Sequence, residues 1–238
     1  MIGSGFDTPF KSEQEISLIP KGAPLMVSKI GFLTGSLKEP LGAVDAYFSA
    51  DVETDGPIPG PYSILSFALV YSGSFDGNRF IRPSNYGTNF YAELQPISDQ
   101  FQEEALRVNK LDRQRLQSEG QSPQKAMIDA CRWVKQIAGG ARPVLVAYPL
   151  SFDWTWLYWY FIRYCAEGSP FGYSQCFDIK TAFAVKGGLP ISEAGRSKVD
   201  SALLPSHPHT HHALDDAIEQ AEIFANIFEW RGVDGTIS

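Results

Sequence analysis

The spacing of apolar positions along the chain changes twice, and each change marks a different kind of element. Residues 46–50 (AYFSA) form an apolar-rich run that reads as a β-strand and passes directly into Asp51-Val52-Glu53. Pro57, Pro59, Gly60 and Pro61 then impose a rigid loop. Residues 62–71 (YSILSFALVY) predict a second strand, and residues 78–81 and 89–94 two further short ones, with turns at 73–77 and 83–87. Three or four successive strands on short turns make an antiparallel meander.

Beyond this point the period becomes helical. Residues 99–108 predict a helix. Ser122-Pro123 starts another, with serine as N-cap and proline in the first turn, and it runs to about Ala138 before Gly139-Gly140 stops it. Residues 144–147 (VLVA) predict a short buried strand and residues 153–164 an aromatic helix. Residues 176–179 predict a strand, 181–185 a short helix and 213–230 a long final helix, with a loop-rich stretch over 187–208. Strands followed by α-β-α-β-α predict an α/β fold, a mixed sheet with helices on its faces. Residues 1–43, rich in Gly, Pro, Ser and Lys, are set apart as an N-terminal extension, 44–232 as one domain and 233–238 as a C-terminal tail.

Composition narrows the picture. At 238 residues with 44% hydrophobic and 13% aromatic residues, the chain is globular rather than disordered. A net charge of −7 argues against coating nucleic acid through a broad basic surface. Cys131, Cys165 and Cys176 lack ligand-like spacing, which suits free thiols in a reducing compartment. No stretch of 18 uninterrupted apolar residues and no basic-then-apolar leader is present, so a soluble cytoplasmic protein without a membrane partner is expected.

Side chains two apart on a strand share a face, so Asp51 and Glu53 project side by side. Two carboxylates on a mostly buried strand repel each other and pay for desolvation, and a divalent cation removes both objections. Asp153 stands where a strand ends and a helix begins. It serves there either as an N-cap or as a site residue, since α/β sites gather at the carboxyl ends of strands. On the final helix, Asp215, Glu219, Glu222 and Asn226 share a face read as solvated. Asp216 lies beside the apolar stripe and is the carboxylate turned toward protein.

His207, His209, His211 and His212 crowd into six residues. His207 and His209 are read as part of a polar loop. A zinc cluster is the competing reading, but the spacing is not that of zinc ligands. One histidine beside a carboxylate-held metal is a suitable general base. The aromatic run 152–161 reads mostly as core. Phe152, on a loop beside Asp153, is read either as core or as a stacking platform for a nucleobase.

Together these pieces resemble the DnaQ-like 3′–5′ exonuclease superfamily, in the DEDDh subgroup named for four carboxylates and a histidine. Asp51-Val52-Glu53-Thr54-Asp55-Gly56 matches its D-x-E-T-x-G motif, Phe152-Asp153 its F-D, and the segment from His211 through Ala213-Leu214 to Asp216-Ala217 its H-x-A-L-x-D-A. The likeness spans about residues 44–231. It departs at Pro149, where many relatives carry asparagine.

The resemblance implies a ribonuclease H-like fold, with a mixed five-stranded sheet and helices on both faces. It implies a metal-dependent 3′–5′ exonuclease that hydrolyses phosphodiester bonds at the 3′ ends of single-stranded DNA or RNA and releases nucleoside 5′-monophosphates. Two Mg²⁺ or Mn²⁺ ions are implied. Asp51 bridges both, Glu53 and Asp216 complete the ion carrying the nucleophile, and Asp153 supports the other. His211 is the base, and Thr54 and Phe152 hold the terminal nucleotide. A homodimer and a protein partner reached through the N-terminal extension are compatible with this reading. The alternatives are an RNA-specific 3′ trimming enzyme and a catalytically silent nucleic-acid-binding module.

Overall fold

The structure, a computed structural model, describes residues 43–233; the N-terminal extension and most of the C-terminal tail expected from the sequence lie outside the described residues. Six strands form one sheet: β1 (Asp45–Thr54), β2 (Ile64–Phe75), β3 (Phe80–Ile81), β4 (Asn89–Glu93), β5 (Arg142–Ala147) and β6 (Cys176–Asp178). The order is β3-β2-β1-β5-β6, with β4 also pairing with β2. Because β3 and β4 lie along the same edge of β2, the sheet is five strands wide, as expected. β1 pairs antiparallel with β2 and parallel with β5, and β5 pairs parallel with β6. The meander and the parallel half therefore meet at β1.

The helices are α1 (Glu103–Asn109), α2 (Arg113–Glu119), α3 (Pro123–Ala138), α4 (Leu150–Tyr164), α5 (Ile179–Gly187) and α6 (Ala213–Glu229). The ends of α3 follow from cap chemistry. The Ser122 side chain accepts from the Lys125 amide, Pro123 opens the first turn, and Gly139 adopts φ 58° to close the last. Ala126, Met127, Ala130, Cys131 and Val134 face the sheet at helical spacing.

The two sides of β1 feed different cores, as strand alternation requires. Phe48, Ala50 and Val52 pack with α3 and α4. Tyr47 packs on the opposite side with Ile223, Phe224 and Ile227 of α6. Alanines at 213, 217 and 221 bring α6 close to Ala68 and Val70 of β2. Asp51 and Glu53 are in phase with Tyr47, so they point toward α6.

Two stretches gain short elements and one helix boundary moves. Residues 110–121 were not assigned an element; α2 is there because Arg113 reaches the buried Asp55 at 2.9 Å. The stretch 187–208 carries three single 3₁₀ turns, Ile191–Glu193, Arg196–Lys198 and Ser201–Leu203. The aromatic helix begins at Leu150 rather than Asp153; within 152–161, Trp156, Leu157, Tyr160 and Phe161 are enclosed while Phe152 is 41% exposed. No helix among the described residues is long and apolar enough to cross a membrane.

Candidate active site

Three elements meet at the carboxyl end of β1. β1 contributes Asp51 and Glu53, the first turn of α6 contributes Asp216, and the first turn of α4 contributes Asp153. Oxygens of Asp51, Glu53 and Asp216 lie within 4.8 Å of one another. Asp153 stands beside this trio. Its Oδ1 accepts from the Val52 amide at 3.1 Å, between the two acidic residues of β1. The N-cap reading of Asp153 is thus corrected: Pro149 precedes α4, no side chain caps it, and Asp153 points into the sheet.

The field at this point is strongly negative. Burial pushes Asp51 well above the usual carboxylate range; Asp153, Glu53 and Asp216 add repulsion, and Arg196 works against it. Glu53 is pushed up to about 8, by burial first and then by Asp216 and Asp153. Asp153 is pushed up to about 7 by burial, against the pull of its own amide, the Val52 amide and Arg196. Among the described residues, no lysine or arginine pairs directly with Asp51, Glu53 or Asp153. All-oxygen donors in a buried, uncompensated cluster fit hard divalent cations such as Mg²⁺ or Mn²⁺.

Asp216 is held from outside. The Thr210 amide donates to its Oδ1 at 2.7 Å and the His211 amide to its Oδ2 at 3.0 Å. His211 reaches this position through left-handed backbone at φ 60°. Its ring is exposed, and its centroid lies 4.5 Å from that of His209. Asp215 is exposed, as helix phase indicated. His212 stacks on Tyr91 at 5.1 Å, with its Nδ1 3.7 Å from the exposed Asp215.

Two expectations about this end of α6 fail. Glu219 is not on a solvated face. The 187–208 stretch covers it, and it pairs with Arg196 at 2.9 Å. His209 is not merely loop, because its Nδ1 lies 3.0 Å from Asp216 Oδ2 and 3.1 Å from Glu219 Oε2. Sequence reasoning missed Gln220, whose buried amide donates to Asp51 Oδ1 at 2.8 Å. A polar residue one turn after Asp216 on the same side was the available signal.

A cavity of about 320 Å³ opens beside Glu53, bordered by Thr54, Gly56, Val108, Asn109 and Phe152. Phe152 is 41% exposed and sits on α4 rather than on a loop. The Thr54 hydroxyl is already spent, donating to the Gly56 carbonyl at 2.8 Å. Gly56 is required sterically, since a Cβ there would lie 2.1 Å from the Tyr62 ring. The histidine-containing group that could hold a metal ion among the described residues is His209, His211 and Asp216.

No protein-family model matches the sequence. Over 181 residues the chain is 32% identical to the 3′–5′ DNA exonuclease Cap18 of Escherichia coli, covering 76% of this chain and 90% of the relative. Among solved structures, the nuclease domain of 3′hExo, a DEDDh family member bound to rAMP, aligns with a TM-score of 0.57 at 11% identity, over 79% of this chain and 92% of that one. Cell-death related nuclease 4 aligns with a TM-score of 0.54 at 14% identity, over 79% of this chain and 64% of that one. At these identities the structural likenesses speak for the fold.

Proposed function

Because the chain belongs to the DEDDh group of DnaQ-like 3′–5′ exonucleases, and so is a hydrolase acting at the 3′ ends of nucleic acids, we propose that it removes nucleoside 5′-monophosphates from single-stranded DNA with Mg²⁺ or Mn²⁺ bound at the end of β1. The observation that carries this reading is the convergence of Asp51, Glu53 and Asp216 within 4.8 Å, each at its motif position. The choice of DNA follows the E. coli relative, which is named for DNA.

Asp51, Glu53 and Asp216 would hold one cation, and Asp153 with Asp51, directly or through water, would hold a second. Such a pair would supply positive charge to the attacking and leaving oxygens of the phosphodiester. The Val52 amide keeps Asp153 aimed at the site. His211 accepts the proton of the attacking water. Its ring is exposed, and no hydrogen bond engages it among the described residues, whereas His209 Nδ1 is occupied by Asp216 and Glu219. Phe152 stacks on the terminal base, a contact worth about 1–3 kcal/mol. Thr54 borders the same cavity and contributes through its backbone, its hydroxyl being engaged.

The deciding experiment offers end-labelled single-stranded DNA and RNA, with free or blocked 3′ ends, to the purified protein with Mn²⁺ or Mg²⁺. A ladder shortening from free 3′ ends, faster on DNA, is expected. Faster shortening of RNA overturns the DNA preference in favour of a 3′ trimming ribonuclease. No shortening of either substrate leaves a binding module.

A further inference from the structure

We infer that Gln220 is the positioning residue that locks the three acidic motifs into one geometry. The inference rests on the functional reading above and assigns a role to a residue outside the motifs. Gln220 lies on α6, four residues after Asp216, so one helical turn separates the two and they share a side of the helix. Its side chain is buried and makes two hydrogen bonds. Nε2 donates to Asp51 Oδ1 on β1 at 2.8 Å. Oε1 accepts from the Tyr148 amide, at the end of β5, at 2.6 Å. Tyr148 stands five residues before Asp153 and leads into α4. One amide on α6 therefore joins the strand bearing the first motif to the residue that leads into the helix bearing the second, from the helix bearing the third.

The chemistry requires an amide. One end of the pocket offers a backbone N–H and the other a carboxylate, so the side chain must accept at one end and donate at the other. Flipping the amide would set NH₂ against N–H and C=O against COO⁻, so its orientation is fixed. The amide is also neutral. It occupies one lone pair of Asp51 Oδ1 without supplying a positive charge that would compete with a cation, as lysine or arginine would. Tyr148 is held at further points, its hydroxyl donating to the Ala194 carbonyl at 2.9 Å and its carbonyl accepting from Arg196 at 3.4 Å. The turn before α4 is thus anchored, and Gln220 refers Asp51 to that anchor. Groups that orient metal-holding carboxylates in this way typically contribute about 10–100-fold in metal affinity or activity.

The test compares wild type with Gln220→Met, which keeps the volume and loses both hydrogen bonds. The second variant is Gln220→Glu, which keeps an acceptor for Tyr148 and loses the donor to Asp51. For Gln220→Met, the dissociation constant for Mn²⁺ by titration calorimetry is expected to rise at least tenfold, with kcat on a single-stranded DNA oligonucleotide falling at least tenfold. KM should stay within about threefold, since the nucleotide cavity is untouched. Gln220→Glu is expected to lower kcat at least tenfold at saturating Mn²⁺, with a lowered melting temperature in the metal-free protein because a further carboxylate is buried beside Asp51. Folded Gln220→Met with Mn²⁺ affinity and kcat within threefold of wild type overturns the inference. If that variant does not fold, a wild-type kcat for Gln220→Glu overturns it instead. Wild type that neither binds Mn²⁺ nor shortens DNA sinks the functional reading itself, an outcome distinct from wild type that works beside variants that match it.

Discussion

Asp215 and Asp216 are adjacent, identical in chemistry and opposite in circumstance. Asp216 is 1% exposed and has a backbone amide on each oxygen; Asp215 is open to water. Asp216→Asn is therefore expected to abolish metal-dependent shortening, with Asp215→Asn close to wild type in the same assay. Asp153→Ala should also abolish activity while circular dichroism stays native; retained activity would mean that three carboxylates suffice. His211→Ala should lower kcat at neutral pH by roughly 100-fold or more, the usual range for a lost general base. His212→Ala should be mild, because its ring stacks on Tyr91. The reverse ranking would move the base by one residue.

At the scale of elements, one buried ion pair and one part-buried ammonium fix pieces that hydrophobic pattern alone leaves loose. Asp55 is fully enclosed, pairs with Arg113 of α2 and accepts from the Ser63 amide, so it ties the loop after β1 to α2. Removing one partner of a buried pair strands the other, and Asp55→Ala is expected to cost about 3–5 kcal/mol by urea unfolding. Lys186 Nζ donates to the carbonyls of Ile227, Phe228 and Trp230, satisfying the last turn of α6 from the end of α5. These contacts mark where the sequence was legible and where it was not. α3 was readable to the residue because Ser122, Pro123 and Gly139 are local signals. α2 and the turns over 187–208 are short, without enough repeats for a period to show, and long-range side chains hold them in place. Glu219 was misread because helix phase describes a helix alone and cannot register a loop folded over it. The positions of Asp51, Glu53, Asp153 and Asp216 near the end of β1 were readable because each motif sits at a strand end or a helix start. Gln220 was not, because its meaning depends on Tyr148, 72 residues away in the chain.

For the molecule as a whole, the carboxylate cluster links stability to pH and metal. Burial, with repulsion from Asp216 and Asp153, raises Glu53 to about 8, and burial alone raises Asp153 to about 7, above the ordinary carboxylate range that applies in the unfolded chain. A raised carboxyl keeps its proton in the folded state after the unfolded chain has lost it. Stability is therefore greatest below about pH 4 for these groups and is lost as pH rises to about 8. The melting temperature of metal-free protein is expected to fall across that window through this linkage. Mn²⁺ should restore it, and more strongly at pH 8 than at pH 5, where protons compete. At a hundredfold excess over Kd the restoration is about 2.7 kcal/mol. Differential scanning calorimetry with and without chelator reads both effects, and a metal shift larger at pH 5 would contradict the assignment of the cluster.

β1 carries this chemistry on one side and a hydrophobic core on the other, with Tyr47, Asp51 and Glu53 facing α6 and Phe48, Ala50 and Val52 facing α3 and α4. The strand therefore has a parity. A one-residue insertion or deletion between Tyr47 and Asp51 would exchange the two sides and drive both carboxylates into packed aromatic rings. A two-residue change keeps the sides and only slides them along. Among length variants over residues 47–50, odd changes should give insoluble protein and even changes folded but inactive protein, so the strand tolerates frame errors only in pairs.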